Sequence, residues 1–173
     1  MAGPTFVFCP LCGLPLVQAM RHGALRPTCT ACGYVHFHDP KVAVVALVVN
    51  GASVLLIRRG VPPGKGLWAL PGGFMDADEL PEAALQRELR EEAGITVQVG
   101  ALLAIHPLRV GDAVRGIVLA YGASVAPPQA ASVFLVAGDD VTDARWFHCD
   151  ALPAELAFDS TRSLLAAWAA GCT

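Results

Sequence analysis

The chain predicts an α/β layered domain preceded by a small metal-stapled module. Three observations carry that expectation. Runs rich in β-formers flank a central helix pattern, a second helix pattern closes the chain, and two Cys-x2-Cys pairs precede them all. With 173 residues, 54% of them hydrophobic, there is material for one main domain with an ordinary core and a small appendage.

The appendage comes first in the chain. Cys9-Pro10-Leu11-Cys12-Gly13 and Cys29-Thr30-Ala31-Cys32-Gly33 read as matching halves of a zinc ribbon over residues 1–38, with Gly13 and Gly33 permitting the tight turns that aim backbone N–H groups at sulfur. Two disulfides or free buried thiols are the alternatives. Disulfides suit poorly a chain whose N-terminus, MAGPTFVFCP, shows no secretory signal. With all four positions filled by cysteine, the Zn2+ is expected to be structural. It would supply most of the folding free energy of so small a module. Arg21, His22 and Arg26, with the apolar face around Phe6 and Phe8, are thin support for nucleic-acid binding. Docking onto the following domain or a twin subunit is the favoured use. Cys149 and Cys172 have no partner spacing and read as a core thiol and a tail thiol.

Asp39-Pro40 marks a hinge, and residues 39–173 form the main domain. Val42 to Val49 is a continuous β-rich run, Asn50-Gly51 a hairpin signal, and Ser53 to Arg58 a second strand. Gly60 to Gly66 is a loop leading to Trp68 and a glycine turn. Beyond the central helix, Thr96 to His106 and Arg115 to Val125 read as strands joined around Gly111-Asp112. Pro127-Pro128 opens a loop, and Val133 to Val136 and Ala144 to His148 read as short strands. Asp159 or Ser160 is the expected cap of a last helix running to about Ala170, with Leu164, Leu165 and Trp168 facing the core.

The central helix carries the chemistry. Gly73 to Ile95 holds nine fixed positions across 23 residues: Gly73, Glu79, Arg87-Glu88-Leu89, Glu91-Glu92 and Gly94-Ile95. Pro81 suits a first helical turn and Gly94 a left-handed C-cap. Ala83, Ala84, Leu85, Leu89 and Ala93 supply an apolar stripe at helical spacing. Glu88 stands three before Glu91 and four before Glu92, so these carboxylates are surface neighbours that repel unless positive charge lies among them. Two readings of the run stand at this point, a solvated charged face or a divalent-cation site. Arg87 with Glu91 fits the interleaved signs of a solvated face; Glu88 with Glu92 does not. Arg87, eight after Glu79 and four before Glu91, is placed to steady a carboxylate. Leu70-Pro71-Gly72-Gly73 can bring bare backbone close to a ligand, so that the Gly72 carbonyl joins an oxygen shell.

The segment resembles the Nudix box, G-x5-E-x7-R-E-U-x-E-E-x-G-U with U aliphatic, and every fixed position is filled. Gly66 to Phe74 resembles the G-x-W-x-L-P-G-G-F lead-in of the same family, and Ala137 to Phe147 its A-G-D-E-V-x-E-A-R-W-F segment. The resemblance implies an α/β/α sandwich, frequent homodimers, and metal-dependent hydrolysis of a nucleoside diphosphate linked to another group. Two or three Mg2+ or Mn2+ ions would sit on Glu88, Glu91, Glu92 and the Gly72 carbonyl. Gly73, Glu79 and Gly94 would be supports. Asp140 and Asp143 stand where the family usually has Glu, so Asp140 is a catalytic candidate with a shorter arm, and Glu155 is another. Leu80 departs from the Ser or Thr that often caps this helix, leaving Asp78 or Glu79 as substitute caps.

A zinc ribbon joined to a Nudix domain resembles the NADH pyrophosphatases. Gly100 to Leu108 lacks their S-Q-P-W-P-F-P-x-S motif. ADP-ribose or another nucleoside-diphosphate sugar is therefore the expected substrate, ahead of NADH, with Trp68, Phe74 and Tyr121 as stacking candidates. A catalytically silent nucleotide sensor is disfavoured because every box acid is present. The net charge of −3 argues against nucleic acid as a partner, and the longest wholly apolar run, Val42 to Val49, is too short to cross a bilayer. The expectation is a soluble, cytoplasmic enzyme.

Overall fold

The computed structural model describes residues 6–127, 135–138 and 140–172. The chain forms two compact units, Met1–Pro40 and Lys41–Thr173.

In the first unit, β1 (Val17–Arg21) and β2 (Ala24–Thr28) pair as an antiparallel hairpin between two knuckles. The knuckles repeat one hydrogen-bond pattern. Gly13 N–H donates to the Cys9 carbonyl at 2.9 Å and Gly33 N–H to that of Cys29 at 3.0 Å. Cys9 N–H reaches Leu14 and Cys29 N–H reaches Tyr34, both at 2.8 Å. Gly13 and Gly33 have φ of 73° and 78°, the left-handed turn that favours glycine.

The second unit is a layered α/β domain. Its strands are β3 (Lys41–Asn50), β4 (Ser53–Arg59), β5 (Trp68–Ala69), β6 (Val97–Val110), β7 (Ala113–Val125) and β8 (Val141–His148). The sheet order is β5-β4-β3-β7-β6, with β8 paired along the full length of β4. β3 is parallel to β7 and buried nearly throughout, and its alternation divides the core in two. Val44, Ala46 and Val48 pack with Leu55 beneath α1 (Pro81–Ala93), against Ala84, Leu85, Leu89 and Ala93. Leu47, Val54 and Leu56 face the opposite side, against Leu164 and Leu165 of α2 (Asp159–Ala169). The sheet thus lies between two helices.

The β3–β4 hairpin departs from a simple ladder. Only Val49–Val54 and Asn50–Ser53 pair, after which β4 leaves β3 for β5 on that edge, while β8 runs along its other edge from Ser53 to Arg59. The vacated edge of β3 takes residues 71–75 instead. Ala46 N–H donates to the Pro71 carbonyl, Val44 N–H to Gly73 and Met75 N–H to Val42. The glycine turn is therefore built into the sheet.

Several local expectations are corrected. Ala83 is exposed, because the buried stripe runs through Ala84, Leu85, Leu89, Glu92 and Ala93. Leu80 occupies the N-cap of α1 without any side-chain cap bond, and neither Asp78 nor Glu79 replaces it. Asp159 and Ser160 lie inside α2, whose N-cap is Phe158. The strands around Gly111-Asp112 are longer than expected, and β8 begins at Val141. Of the expected strand Val133 to Val136, Val133 and Phe134 lie outside the described residues, as do Pro128 and Asp139, while Leu135 and Val136 are irregular. No described helix is long and apolar enough to cross a membrane.

Candidate active site

α1 starts at Pro81 and ends on Gly94, whose φ of 69°, with the Gly94 N–H bonded to the Arg90 carbonyl and the Ile95 N–H to that of Leu89, completes a left-handed cap. Arg87 is the hub of its polar face. The guanidinium donates to Glu79 Oε1 at 2.6 Å, Glu88 Oε1 at 2.8 Å, Glu91 Oε2 at 3.1 Å and the Phe74 carbonyl at 3.1 Å. Glu79 also accepts the Asp76 N–H at 2.8 Å, and these two partners, Arg87 first, hold its carboxyl below the usual range. One cation thereby ties the turn after Phe74 to the helix and fixes the directions of Glu88 and Glu91.

Glu92 is held separately. It is 3% exposed, and its Oε2 accepts the Gly72 N–H at 2.7 Å. Since Pro71 and Gly73 bond to β3, alternation along the segment turns the Gly72 N–H the other way, towards the helix. Gly72 has φ of 141°, and a Cβ there would strike the Val44 carbonyl oxygen. A Cβ on Gly73 would strike the Glu88 carboxylate. Both glycines are required by close approach, one to the sheet and one to a site acid.

Burial pushes the Glu92 carboxyl up to about 8, with the charges of Glu88 and Asp140 adding to it and the Gly72 N–H and Arg59 opposing. Burial likewise raises Glu88, against the pull of Arg87. Among the described residues the three box glutamates do not close into a cluster with one oxygen of each within 4.8 Å of the others. Arg87 draws Glu88 and Glu91 to one side, while Gly72 draws Glu92 to the other. A buried acid this costly to ionise, beside two further carboxylates and set among oxygen donors alone, fits a hard divalent cation.

The other candidates separate. Asp140 acts electrostatically on both Glu88 and Glu92, and its carbonyl accepts the Gly60 N–H at 2.6 Å, which fixes its backbone beside the end of β4. Asp143 is paired with Arg145 at 2.6 Å. Glu155 is exposed, and its carbonyl accepts the Trp68 N–H. Trp68 and Tyr121 are each 8% exposed and belong to the core on opposite sides of the sheet, with Trp68 stacked edge-on to Phe147. Neither offers an open face for a base. Phe74 is 50% exposed and carries Lys41 Nζ 4.8 Å from its ring centroid.

Sequence reasoning missed Arg59, whose charge opposes the rise at Glu92, and the Gly72 amide as that acid's partner. The only advance signal for Arg59 was its place before Gly60, since its electrostatic influence on Glu92 depends on β4 leaving β3.

In the first unit, Cys9, Cys12, Cys29 and Cys32 bring their sulfurs within 4.8 Å of one another, and Cys9–Cys32 and Cys12–Cys29 approach to 3.6 and 3.5 Å. All four are free thiols. The Cys32 N–H, against the opposing effect of burial, brings the Cys29 thiol down to about 7. Such a set can hold a metal ion.

Residues 39–168 match the family described as NUDIX domain. The chain belongs to the NUDIX family. With every fixed position of the box filled, it is a Nudix hydrolase. It is 38% identical over 126 residues to the ADP-ribose pyrophosphatase of Methanocaldococcus jannaschii, covering 73% of this chain and 70% of that one. It is 30% identical over 155 residues to the NAD-capped RNA hydrolase NudC of Stutzerimonas stutzeri, covering 85% of this chain but only 50% of that one. In structure it resembles a NUDIX hydrolase from Nitrosomonas europaea with a TM-score of 0.85 at 26% identity, covering 95% of this chain and 91% of that chain.

Proposed function

We propose that this Nudix hydrolase cleaves the P–O–P bridge of ADP-ribose, or of another nucleoside-diphosphate sugar, and releases a nucleoside monophosphate. The observation that carries the reading is the buried Glu92 carboxylate, held by the Gly72 N–H beside Glu88 and within the field of Asp140. Glu88, Glu91, Glu92 and the Gly72 carbonyl would hold two or three Mg2+ or Mn2+ ions, which screen the diphosphate and acidify a water. Arg87 is a positioning residue, with Glu79 fixing its guanidinium. Gly73 and Gly94 set the turn and the end of the helix. A box glutamate or Asp140 takes the water's proton as general base. Phe74 is the stacking surface left once Trp68 and Tyr121 are in the core. Residues 1–38 serve as a structural zinc ribbon on Cys9, Cys12, Cys29 and Cys32, and residues 39–173 as the cytoplasmic hydrolase domain.

ADP-ribose is favoured by the 38% identity to a named ADP-ribose pyrophosphatase, together with Gly100 to Leu108, which lack the NADH-pyrophosphatase motif. One observation favours a second reading, cleavage of a dinucleotide or of an NAD-like cap. The match to the NAD-capped RNA hydrolase is longer than residues 39–173 alone, so it reaches into the cysteine module. A panel of ADP-ribose, other nucleoside-diphosphate sugars and NADH, each incubated with the chain and Mg2+, discriminates. Fastest monophosphate release from ADP-ribose or a nucleotide sugar supports the first reading. Fastest cleavage of NADH replaces it with the second.

A further inference from the structure

A second group of ligand atoms lies away from the box. β8 ends at His148, and the chain turns at once through a 3-10 turn, Cys149–Ala151. On a strand, consecutive side chains alternate between faces. The turn cancels that alternation. His148 Nδ1, Cys149 Sγ and an Asp150 carboxylate oxygen all come within 4.8 Å of one another. The ring nitrogen is 3.9 Å from the sulfur and 3.5 Å from Asp150 Oδ2. Nδ1 faces the Asp150 N–H at 3.4 Å, a bond long enough to leave the ring nitrogen open to the group. The Cys149 N–H donates to the Ala52 carbonyl at 2.9 Å and anchors the turn to the β3–β4 connection.

Cys172, from a distant part of the chain, neighbours Cys149 but lies outside the group of three. It follows α2, where its N–H bonds to the Ala169 carbonyl. Its side chain hydrogen-bonds to Cys149, and that contact, with burial, pushes its thiol up to about 11. Expectation from sequence treated these cysteines as unrelated, and the fold corrects that by bringing the end of α2 to the turn after β8.

We propose that His148, Cys149 and Asp150 form a second metal site, taking a borderline-soft divalent cation of the Zn2+ class. The donor set of imidazole, carboxylate and thiol is that of zinc, and a hard ion such as Mg2+ would reject the sulfur. His148 and Asp150 have side chains 52% and 87% exposed, which gives the ion an entry path. Bound there, the ion braces the turn after β8, which the Cys149 N–H ties to Ala52, so its effect is on local stability and is independent of the box.

The test uses the full chain, reduced and in excess Mg2+ so that carboxylate sites are filled, titrated with Co2+. Charge-transfer absorption from thiolate sulfur to cobalt counts only thiolate-bound ions. The expected result is that Cys149→Ser removes one thiolate-bound equivalent, whatever the N-terminal cluster takes up, and that Zn2+ raises the melting temperature of the wild type more than that of the variant. His148→Ala, at an exposed side chain, checks the same site without touching a thiol and is expected to weaken that equivalent. Equal cobalt stoichiometry in wild type, Cys149→Ser and His148→Ala overturns the proposal. So does a Cys149–Cys172 disulfide that survives mild reduction and leaves no thiolate for the ion.

Discussion

Replacing Glu92 by Gln keeps the shape of the side chain and an oxygen to accept the Gly72 N–H, while removing the charge that burial penalises. The Glu92 carboxyl is raised from 4.5 to about 8 in the folded chain. An acid raised in the fold retains its proton while the unfolded chain has already lost it. Its effect on stability is therefore absent below 4.5, grows as pH rises towards 8, and is destabilising throughout that window. The slope is about 1.4 kcal/mol per pH unit. Between about pH 6 and pH 7.5 the cation-free wild type should then lose roughly 2 kcal/mol that Glu92→Gln does not lose. Urea denaturation of both proteins with a chelator present, at the two pH values, reads that difference directly. Titrating groups that do not interact with Glu92 are common to both proteins and cancel, whereas Glu88 and Asp140 are coupled to it and titrate with it. Because a divalent cation competes with the same proton, Mg2+ binding to the wild type should also tighten as pH rises through the window and should release protons. In turnover the variant should lose at least ~100-fold in kcat. A pH dependence of stability identical in the two proteins would refute the burial argument, and near-native turnover would remove Glu92 from the machinery.

Three further outcomes are expected. Gly73→Ala places a Cβ on the flexible end of Glu88 rather than on backbone, so stability should change by no more than about 1 kcal/mol, while kcat falls about tenfold or more; thermal melts and steady-state rates check both. Arg87→Lys keeps the charge but loses the fork that serves Glu79, Glu88 and Glu91 together, so kcat should fall about tenfold with KM for Mg2+ rising, and a variant kinetically equal to wild type would contradict the hub role. Cys29→Ser, in the proposed zinc ribbon, should abolish zinc binding there, measured by elemental analysis, and unfold the first unit while the hydrolase unit keeps its far-UV signal and its melt.

Local signals in the chain predicted the elements that local physics controls. Pro81 and Gly94 bound α1 where capping preferences put them, and Asn50-Gly51 and Gly111-Asp112 make the expected turns. The paired Cys-x2-Cys-Gly runs fold as matching knuckles for the same reason, since each is closed by bonds within six residues. What depended on tertiary partners was not legible. Nothing in Ser53 to Arg59 says that it will leave β3 after two residue pairs, yet that departure admits the glycine turn to the sheet and brings Arg59 towards Glu92. Ala83 fits the helical stripe by spacing, but the face that α1 buries takes in Glu92 instead, so a site acid occupies a core position. Trp68 and Tyr121 carry flat rings suited to a base, and only the layering shows that both are core. The contact between Cys149 and Cys172 follows from how α2 lies on the sheet, which no spacing rule encodes.

The most direct test of the account is product analysis on ADP-ribose with Mg2+, for the wild type and Glu92→Gln in parallel. The account predicts AMP and ribose 5-phosphate in equal amounts from the wild type, and about a hundredth of that rate or less from the variant. Absence of monophosphate from ADP-ribose and from every other diphosphate-bridged nucleotide offered, by a folded and metal-supplied wild type, would contradict it.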